Sequence, residues 1–272
     1  MDRKQLKAQS RQLISTAQPK PVVMAIIYLL IAALLSYMSY RLVGGYTDAV
    51  AGLMNDMGSS TIDEYTFYHS IEQAAPSPIA SLLDAIVSIV SLVLSAGFLL
   101  FCLNTVRRVQ ASYWNIFDSF GMFFRILWLY ILEAIFAFLW ALLLIIPGIV
   151  ALYRYRMAIY LLFDHPEMSP LECITESKRL MQGHKGELFR QDLSFIGWFI
   201  LVGALEGMGI AIAVYTNVPA FIGGLLEGVG LGIFLEFYVL PYMVLTEAGF
   251  YLERIKQGNM NSMFDDGWTP EL

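Results

Sequence analysis

The sequence predicts an all-α integral membrane protein: a single polytopic bundle of six transmembrane helices, both termini cytoplasmic, with amphipathic helices on the cytoplasmic face. Three observations predict it. The 272 residues are 57% hydrophobic and only 15% charged, with mean hydropathy +0.61, where a soluble domain carries about 25% charged residues. The apolar residues come in blocks, most of them close to the roughly 20 residues that a helix needs to cross a bilayer. Fourteen of the 17 lysines and arginines fall in alternate gaps between the blocks, the pattern of basic residues retained in cytoplasmic loops.

The first span is read over 22–43. Its apolar run, Val22 to Tyr40, exceeds the 7–15 residues or so of a signal-peptide core and is read as retained. The second covers 79–106 with Asp84 near its start, and the third 126–146 with Glu133 inside. The fourth, 148–163, is short and carries Arg154 and Arg156. The fifth, 193–215, holds Glu206, and the sixth, 220–245, holds Glu227 and Glu236. A five-span alternative that omits 148–163 would put Lys178, Arg179, Lys185, Arg190, Arg254 and Lys256 outside, against the rule that cytoplasmic loops keep them. The outer loop, 44–78, has Asp48, Asp56, Asp63, Glu64 and Glu72 and no lysine or arginine. Each arginine of span four costs about 2.5–3.5 kcal/mol at mid-helix, so this span is expected to enter as a hairpin with span three, turning at Pro147-Gly148.

Three polar stretches predict cytoplasmic helices. The first, 2–14, is basic and sparsely apolar. In the second, 112–124, Tyr113, Phe117, Phe120 and Phe124 recur at helical spacing. That fits an interfacial helix with its aromatics at headgroup level, and equally a connector packed under the bundle. In the third, 169–183, Ser169, Pro170 and Glu172 form a capping box with proline in the first turn. Ile174, Ser177, Leu180 and Met181 make its inner face. Lys178, Arg179 and Lys185 are the lipid-headgroup candidates, although such clusters are more often topology determinants.

Several segments taken together resemble a known family. They are Arg3-Lys4-Gln5-Leu6-Lys7, Ile146-Pro147-Gly148, Tyr155-Arg156-Met157-Ala158, the run from Ser177 to Lys185, Leu193-Ser194-Phe195-Ile196-Gly197-Trp198, Pro241-Tyr242 and Phe250-Tyr251. In this order they resemble a bacterial integral membrane family, mostly of Gram-positive bacteria, known only as a domain of unknown function (family nine-seven-five). The resemblance covers nearly the whole chain. It implies a multi-span plasma-membrane protein and brings no activity, substrate or functional residue with it.

The charges inside spans are the pathway or ligand candidates: Arg154, Arg156, Glu133, Glu206, Glu227 and Glu236. Intramembrane ionisable groups are costly and usually face a bundle interior or water cavity. At 1.5 Å per residue, Arg154, Glu227 and Glu206 lie roughly 10, 12 and 14 Å below the outer surface and could share one layer. Arg156 and Glu133 fall deeper, with Glu236 between. The charges either pair and fix helix register or line a path for a proton, cation or headgroup. Spans five and six echo each other, Gly203-Ala204-Leu205-Glu206-Gly207 against Gly224-Leu225-Leu226-Glu227-Gly228. Such glycine pairs permit close helix packing.

Other classes are disfavoured. The net charge of −6 comes with no clustered basic stripe, so nucleic acid is not an expected partner. His69, His165 and His184 lie in separate segments, and Cys102 and Cys173 make neither a metal site nor an expected disulfide. No phosphate loop, nucleophile elbow or zinc helix occurs, so neither enzyme activity nor a cofactor is expected. The expectation is a membrane accessory or scaffold protein that binds partner proteins or lipids. The alternative is a small transporter or lipid-handling protein that uses the buried Arg/Glu layer.

Overall fold

The computed structural model describes residues 3–58, 64–109, 111–201, 203–204 and 231–265. Within them every regular element is a helix. In chain order these are α1 (Arg3–Thr16), α2 (Pro21–Gly58), α3 (Glu64–Ala74), α4 (Pro78–Arg107), α5 (Asn115–Asp118), a 3₁₀ turn (Ser119–Met122) and α6 (Phe123–Leu143). Then come α7 (Ile145–Tyr155), α8 (Ala158–Asp164), α9 (Pro170–Leu180), α10 (Lys185–Leu193) and, last, α11 (Leu231–Asp265).

Four stretches are long and apolar enough to cross a membrane: Pro21–Tyr46, Pro78–Arg107, Asn115–Leu142 and Ile145–Asp164. They match the first four spans read from sequence to within a few residues, except that the third begins at Asn115. Most of the fifth and sixth spans lies outside the described residues.

Three local readings change. The hairpin between α6 and α7 turns at Leu144, whose backbone is extended at φ −161° and ψ 146°. Pro147-Gly148 begins three residues later, in the first turn of α7. Proline is tolerated there because its missing N–H would have no acceptor anyway. Gly148 serves packing: a Cβ on it would stand 2.8 Å from Cβ of Ala141, so α6 and α7 meet here almost backbone to backbone.

The expected outer loop is largely helical. α2 continues to Gly58 and α3 follows from Glu64. Ala49, Leu53 and Met54 are good helix formers and carry α2 past the apolar run. The 112–124 segment is not one helix either, but α5, the 3₁₀ turn and the first residues of α6. Tyr113 turns inward, its ring 6.4 Å from Phe101 and its hydroxyl accepting from the Lys20 N–H at 3.1 Å. Trp114 takes the exposed position, next to Phe117.

The capping box of α9 forms as read. The Glu172 N–H donates to the Ser169 hydroxyl at 3.3 Å, and the Ser169 N–H donates to the Glu172 carboxylate at 2.7 Å. Ile174, Ser177 and Met181 are buried, as the inner-face pattern requires. α10 follows after Gly183, whose φ of +80° makes the turn that glycine tolerates best.

Two core clusters share the end of the bundle where α1, α5, α9 and α10 gather. One joins the second half of α4 to α6, α7, α8, α9 and α11 through residues such as Leu103, Ile126, Leu161, Ile174 and Tyr251. The other joins α1, α2, α4, α5 and α11 through Ile14, Met24, Phe98, Ile116 and Leu245. α5 presses hard on α4: a Cβ at Gly97 would lie 2.0 Å from the Ile116 carbonyl oxygen. The Ser119 hydroxyl donates to the Val93 carbonyl at 2.9 Å. Cys102 and Cys173 are both buried in these clusters and unpaired.

Candidate functional site: the charged clamps of the packed end

The helix that carries Arg156 breaks at that residue. α7 stops at Tyr155 and α8 starts at Ala158, so Arg156 sits in the joint. From there its guanidinium joins three elements. Nε donates to Glu247 Oε1 at 2.9 Å, and Nη2 donates to Oε2 of the same carboxylate at 2.6 Å. Nη1 donates to Asp192 Oδ2 at 2.5 Å. The Glu247 contact is the two-pronged geometry that makes arginine–carboxylate pairs strong and directional. The Tyr153 hydroxyl donates to the same Asp192 oxygen at 3.0 Å. The α7–α8 joint is thereby tied to α10 and α11, with Glu247 close to full burial.

A second clamp ties the end of α4 to the end of α8. Arg107 Nη2 donates to Asp164 Oδ2, and the Tyr251 hydroxyl of α11 donates to the same oxygen at 2.6 Å. The Tyr251 ring stacks on Tyr160 at 5.2 Å. Burial, then the hydrogen bond to Asp164 and its charge, push the Tyr251 hydroxyl above its ordinary range. The phenol therefore stays a neutral donor.

A third contact pins α10 to α11. Arg254, buried, places Nη1 2.7 Å from His184 Nδ1. A guanidinium can only donate, so Nδ1 accepts and the imidazole proton sits on Nε2.

α1 is held along one face. Arg3 donates to the Arg190 carbonyl at 3.2 Å, and Lys7 donates to the Ser194 carbonyl at 3.3 Å while lying over the Phe195 ring. Arg11 Nε donates to the Tyr242 hydroxyl at 3.1 Å. Burial, with Arg11 and Arg3 as positive neighbours, lowers the Lys7 pKa from the ordinary lysine value. α9 is fastened at both ends. Arg125 donates to the Met168 carbonyl, and the Ser177 hydroxyl donates to the Arg154 carbonyl at 2.8 Å.

The residues singled out from sequence fall in different places. Arg156 meets Asp192 and Glu247, not Glu133. Among the described residues Glu133 and Arg154 form no ion pair. Glu206 and Glu227 lie outside the described residues, as does the Glu236 side chain. The layer of Arg154, Glu206 and Glu227 is therefore not described. Lys178 lies over the Phe136 and Tyr155 rings at 5.4 and 5.5 Å, and Arg179 pairs with Glu176.

The clamp acids Asp192, Glu247 and Asp164 were not selected from sequence. Asp192 and Glu247 sit just beyond the ends of apolar blocks, and Asp164 directly follows the fourth. Among the described residues no group of three or more His, Cys, Asp or Glu could hold a metal ion.

Residues 142–259 match the model of a protein family described as Protein of unknown function (DUF975). The matched stretch contains Arg156, Asp192, Glu247, Asp164, Tyr251, His184 and Arg254, whereas Arg107 and all of α1 to α5 precede it. No curated protein and no solved structure matches the chain.

Proposed function

We propose that the protein is a multi-span plasma-membrane accessory or scaffold protein that binds partner proteins or lipids and carries out no chemistry itself. The observation that carries this reading is the saturation of the Arg156 clamp. The guanidinium spends all its nitrogens on two carboxylates from two other elements. The hollows beneath α1 and between α2 and α4 are lined by none of Arg154, Arg156 or Glu133. A charge committed in this way fixes the relative placement of helices and leaves no vacancy for a passing ion. In this reading the chain has six spans with both termini cytoplasmic, and the clamped end faces the cytoplasm. The polar residues of α1, α9 and α10 there form the surface a soluble partner would meet.

The test is crosslinking in native membranes, followed by purification of the tagged chain. A stoichiometric protein partner that is lost when α9 surface residues such as Arg179 are substituted supports the reading. Purification of the chain with neither a crosslinked protein nor a retained lipid would sink it. Reporter fusions at each terminus test the orientation, and a reporter active only on the outer side would reverse it.

One observation favours the transport alternative: Arg154 has no carboxylate within ion-pair reach among the described residues. If Arg154 serves a pathway, Arg154→Gln should leave the folded yield unchanged and abolish uptake or release of a solute in vesicles. A collapse in yield would mark Arg154 as architectural instead.

A further inference from the structure

Three hollows of about 330, 300 and 390 Å³ run in sequence beneath α1. The first two share Leu6, Gln9, Val106 and Gly249, and the last two share Gln12, Leu13, Thr16 and Arg108. They form one groove between α1, the end of α4 and the middle of α11. α1 presents Gln5, Gln9, Gln12 and Thr16 to it, at steps of four, three and four, which is one face of a helix. The cations Arg3, Lys7 and Arg11 are already engaged by α10, the segment after it and α11. The polar groups that α1 turns to the groove are thus amide and hydroxyl, beside its own Leu6 and Leu13 and over an apolar floor of Val106 and Leu245, while Glu253 and Lys256 line the far end.

Arg108 stands at one end of this groove. It closes α4 in the left-handed region, φ 56° and ψ 29°, with its N–H reaching the Asn104 and Thr105 carbonyls. Glycine is the residue that this position ordinarily takes; here it carries a guanidinium. Its neighbour Arg107 is engaged by Asp164, whereas Arg108 forms no ion pair among the described residues and is exposed. Gln12, Gln18 and Arg108 bring donors to this end, and its lining contains no carboxylate. The height is also informative. The groove opens where the span of α4 ends and that of α2 begins, beside the Lys20–Tyr113 hydrogen bond. For two membrane-crossing helices, that is the level of the headgroups.

We propose that the Arg108 end of this groove binds the phosphate of an anionic phospholipid headgroup. The guanidinium meets the phosphate oxygens in its two-pronged mode, the Gln12 and Gln18 amides complete the donor set, and the apolar floor lies along the glycerol and upper acyl chain. The inference rests on the membrane placement in the reading above, but needs no protein partner.

The test uses the full chain in mild detergent, titrated with phosphatidylglycerol or phosphatidylcholine and read by native mass spectrometry. Phosphatidylcholine has the same phosphodiester but brings a trimethylammonium beside Arg108, where the lining has no carboxylate to meet it, so phosphatidylglycerol should bind about tenfold more tightly. Arg108→Gly should abolish that preference without lowering the melting temperature, because glycine suits the left-handed position better than arginine does. Equal binding of the two lipids, or a preference that survives Arg108→Gly, would overturn the site. Loss of the preference in Lys185→Gln instead would move the headgroup to α10 and overturn the assignment. Displacement by soluble glycerol phosphate at the same concentration as the lipid would make the ligand a free phosphate ester and refute the lipid. Carbonate extraction separates the two levels. A chain released from membranes by carbonate refutes the membrane reading itself. A chain that stays in the membrane and shows no lipid preference refutes only the groove.

Discussion

The two halves of α4 are equally apolar and entirely different in surroundings. In the first half Ile79 and Leu82 are 72% and 64% exposed, and Leu83 and Ile86 are exposed beside them. In the second half Val93, Phe101 and Leu103 are 0% exposed. Hydropathy cannot distinguish them, because it scores the residue and not what surrounds it. What differs is the polar and close-packed cross-linking. The first half faces α2 across a seam with the Ser39–Asp84 hydrogen bond. The second half is jammed against α5 at Gly97, bonded by Ser119 and ended by the Arg107 clamp. The core lies where polar and glycine contacts fasten the helices, and apolar character alone builds none.

The sharpest way to break this contrast is Arg156→Leu. It strands the Glu247 and Asp192 carboxylates in a largely buried site, an expected loss of about 3 kcal/mol, the lower end for an orphaned buried partner. Glu247→Gln in the same chain should restore part of it, read as folded fraction by thermal melting in detergent. A folded fraction that is unaffected would remove the clamp from the account of the core.

Next is a pair of identical substitutions, one at Gly97 in the packed half of α4 and one at Gly45 in α2, the helix that faces the exposed half. Gly97→Ala must push back the Ile116 carbonyl and should cost about 2 kcal/mol, as overpacking does. Gly45→Ala meets nothing within 4 Å and should be neutral, or stabilise by up to about 1 kcal/mol through helix propensity. Equal melting shifts for the two would erase the difference between the regions. Tyr251→Phe removes one hydrogen bond to the Asp164 carboxylate and should cost about 1.5 kcal/mol, visible as a smaller melting shift than that of Arg156→Leu.

The smallest effect concerns α9. Hydrogen bonding by the Ser169 backbone N–H, then by its hydroxyl, holds the Glu172 carboxyl below the usual carboxylate range. A depressed folded value stabilises the helix start fully above the unfolded pKa of about 4.3, and that stabilisation disappears as pH falls through the folded value. Hydrogen-exchange protection at the first turn of α9, taken relative to the intrinsic rate at each pH, should therefore fall below about pH 4. Glu172→Gln should flatten that dependence, and an unchanged loss of protection in the variant would assign it to another group.

Much of this was legible in the sequence. Long apolar runs gave the first four spans, because crossing length is a property of the run alone. The α9 start was legible because a capping box is local. The clamp partners were not. A ruler of 1.5 Å per residue assigns depth but no direction around the helix, and it assumes that the helix is continuous. α7 breaks at the residue being placed, so Arg156 turns to Asp192 and Glu247 and not to Glu133 at its estimated depth. The Leu144 turn was displaced to Pro147-Gly148 because proline marks both a turn and a helix's first residues. Gly97 and Gly45 look alike in the sequence, and only the position of α5 separates them. Arg108 carried no signal, since a left-handed backbone is invisible until the next element is in place.

The burial of both native cysteines decides how this chain can be labelled. Burial pushes the Cys173 thiol up from its ordinary value, and neither sulfur is reachable from solvent. Alkylating probes act on accessible thiolates, so the unmodified chain should stay silent to maleimides while it is folded. Single cysteines can then be introduced at loop positions with Cys102 and Cys173 left in place. Each can be scored for reaction with an impermeant maleimide from either side of the membrane in which the proposed function places the chain, and the same reagent, reacting at the native pair, reports unfolding.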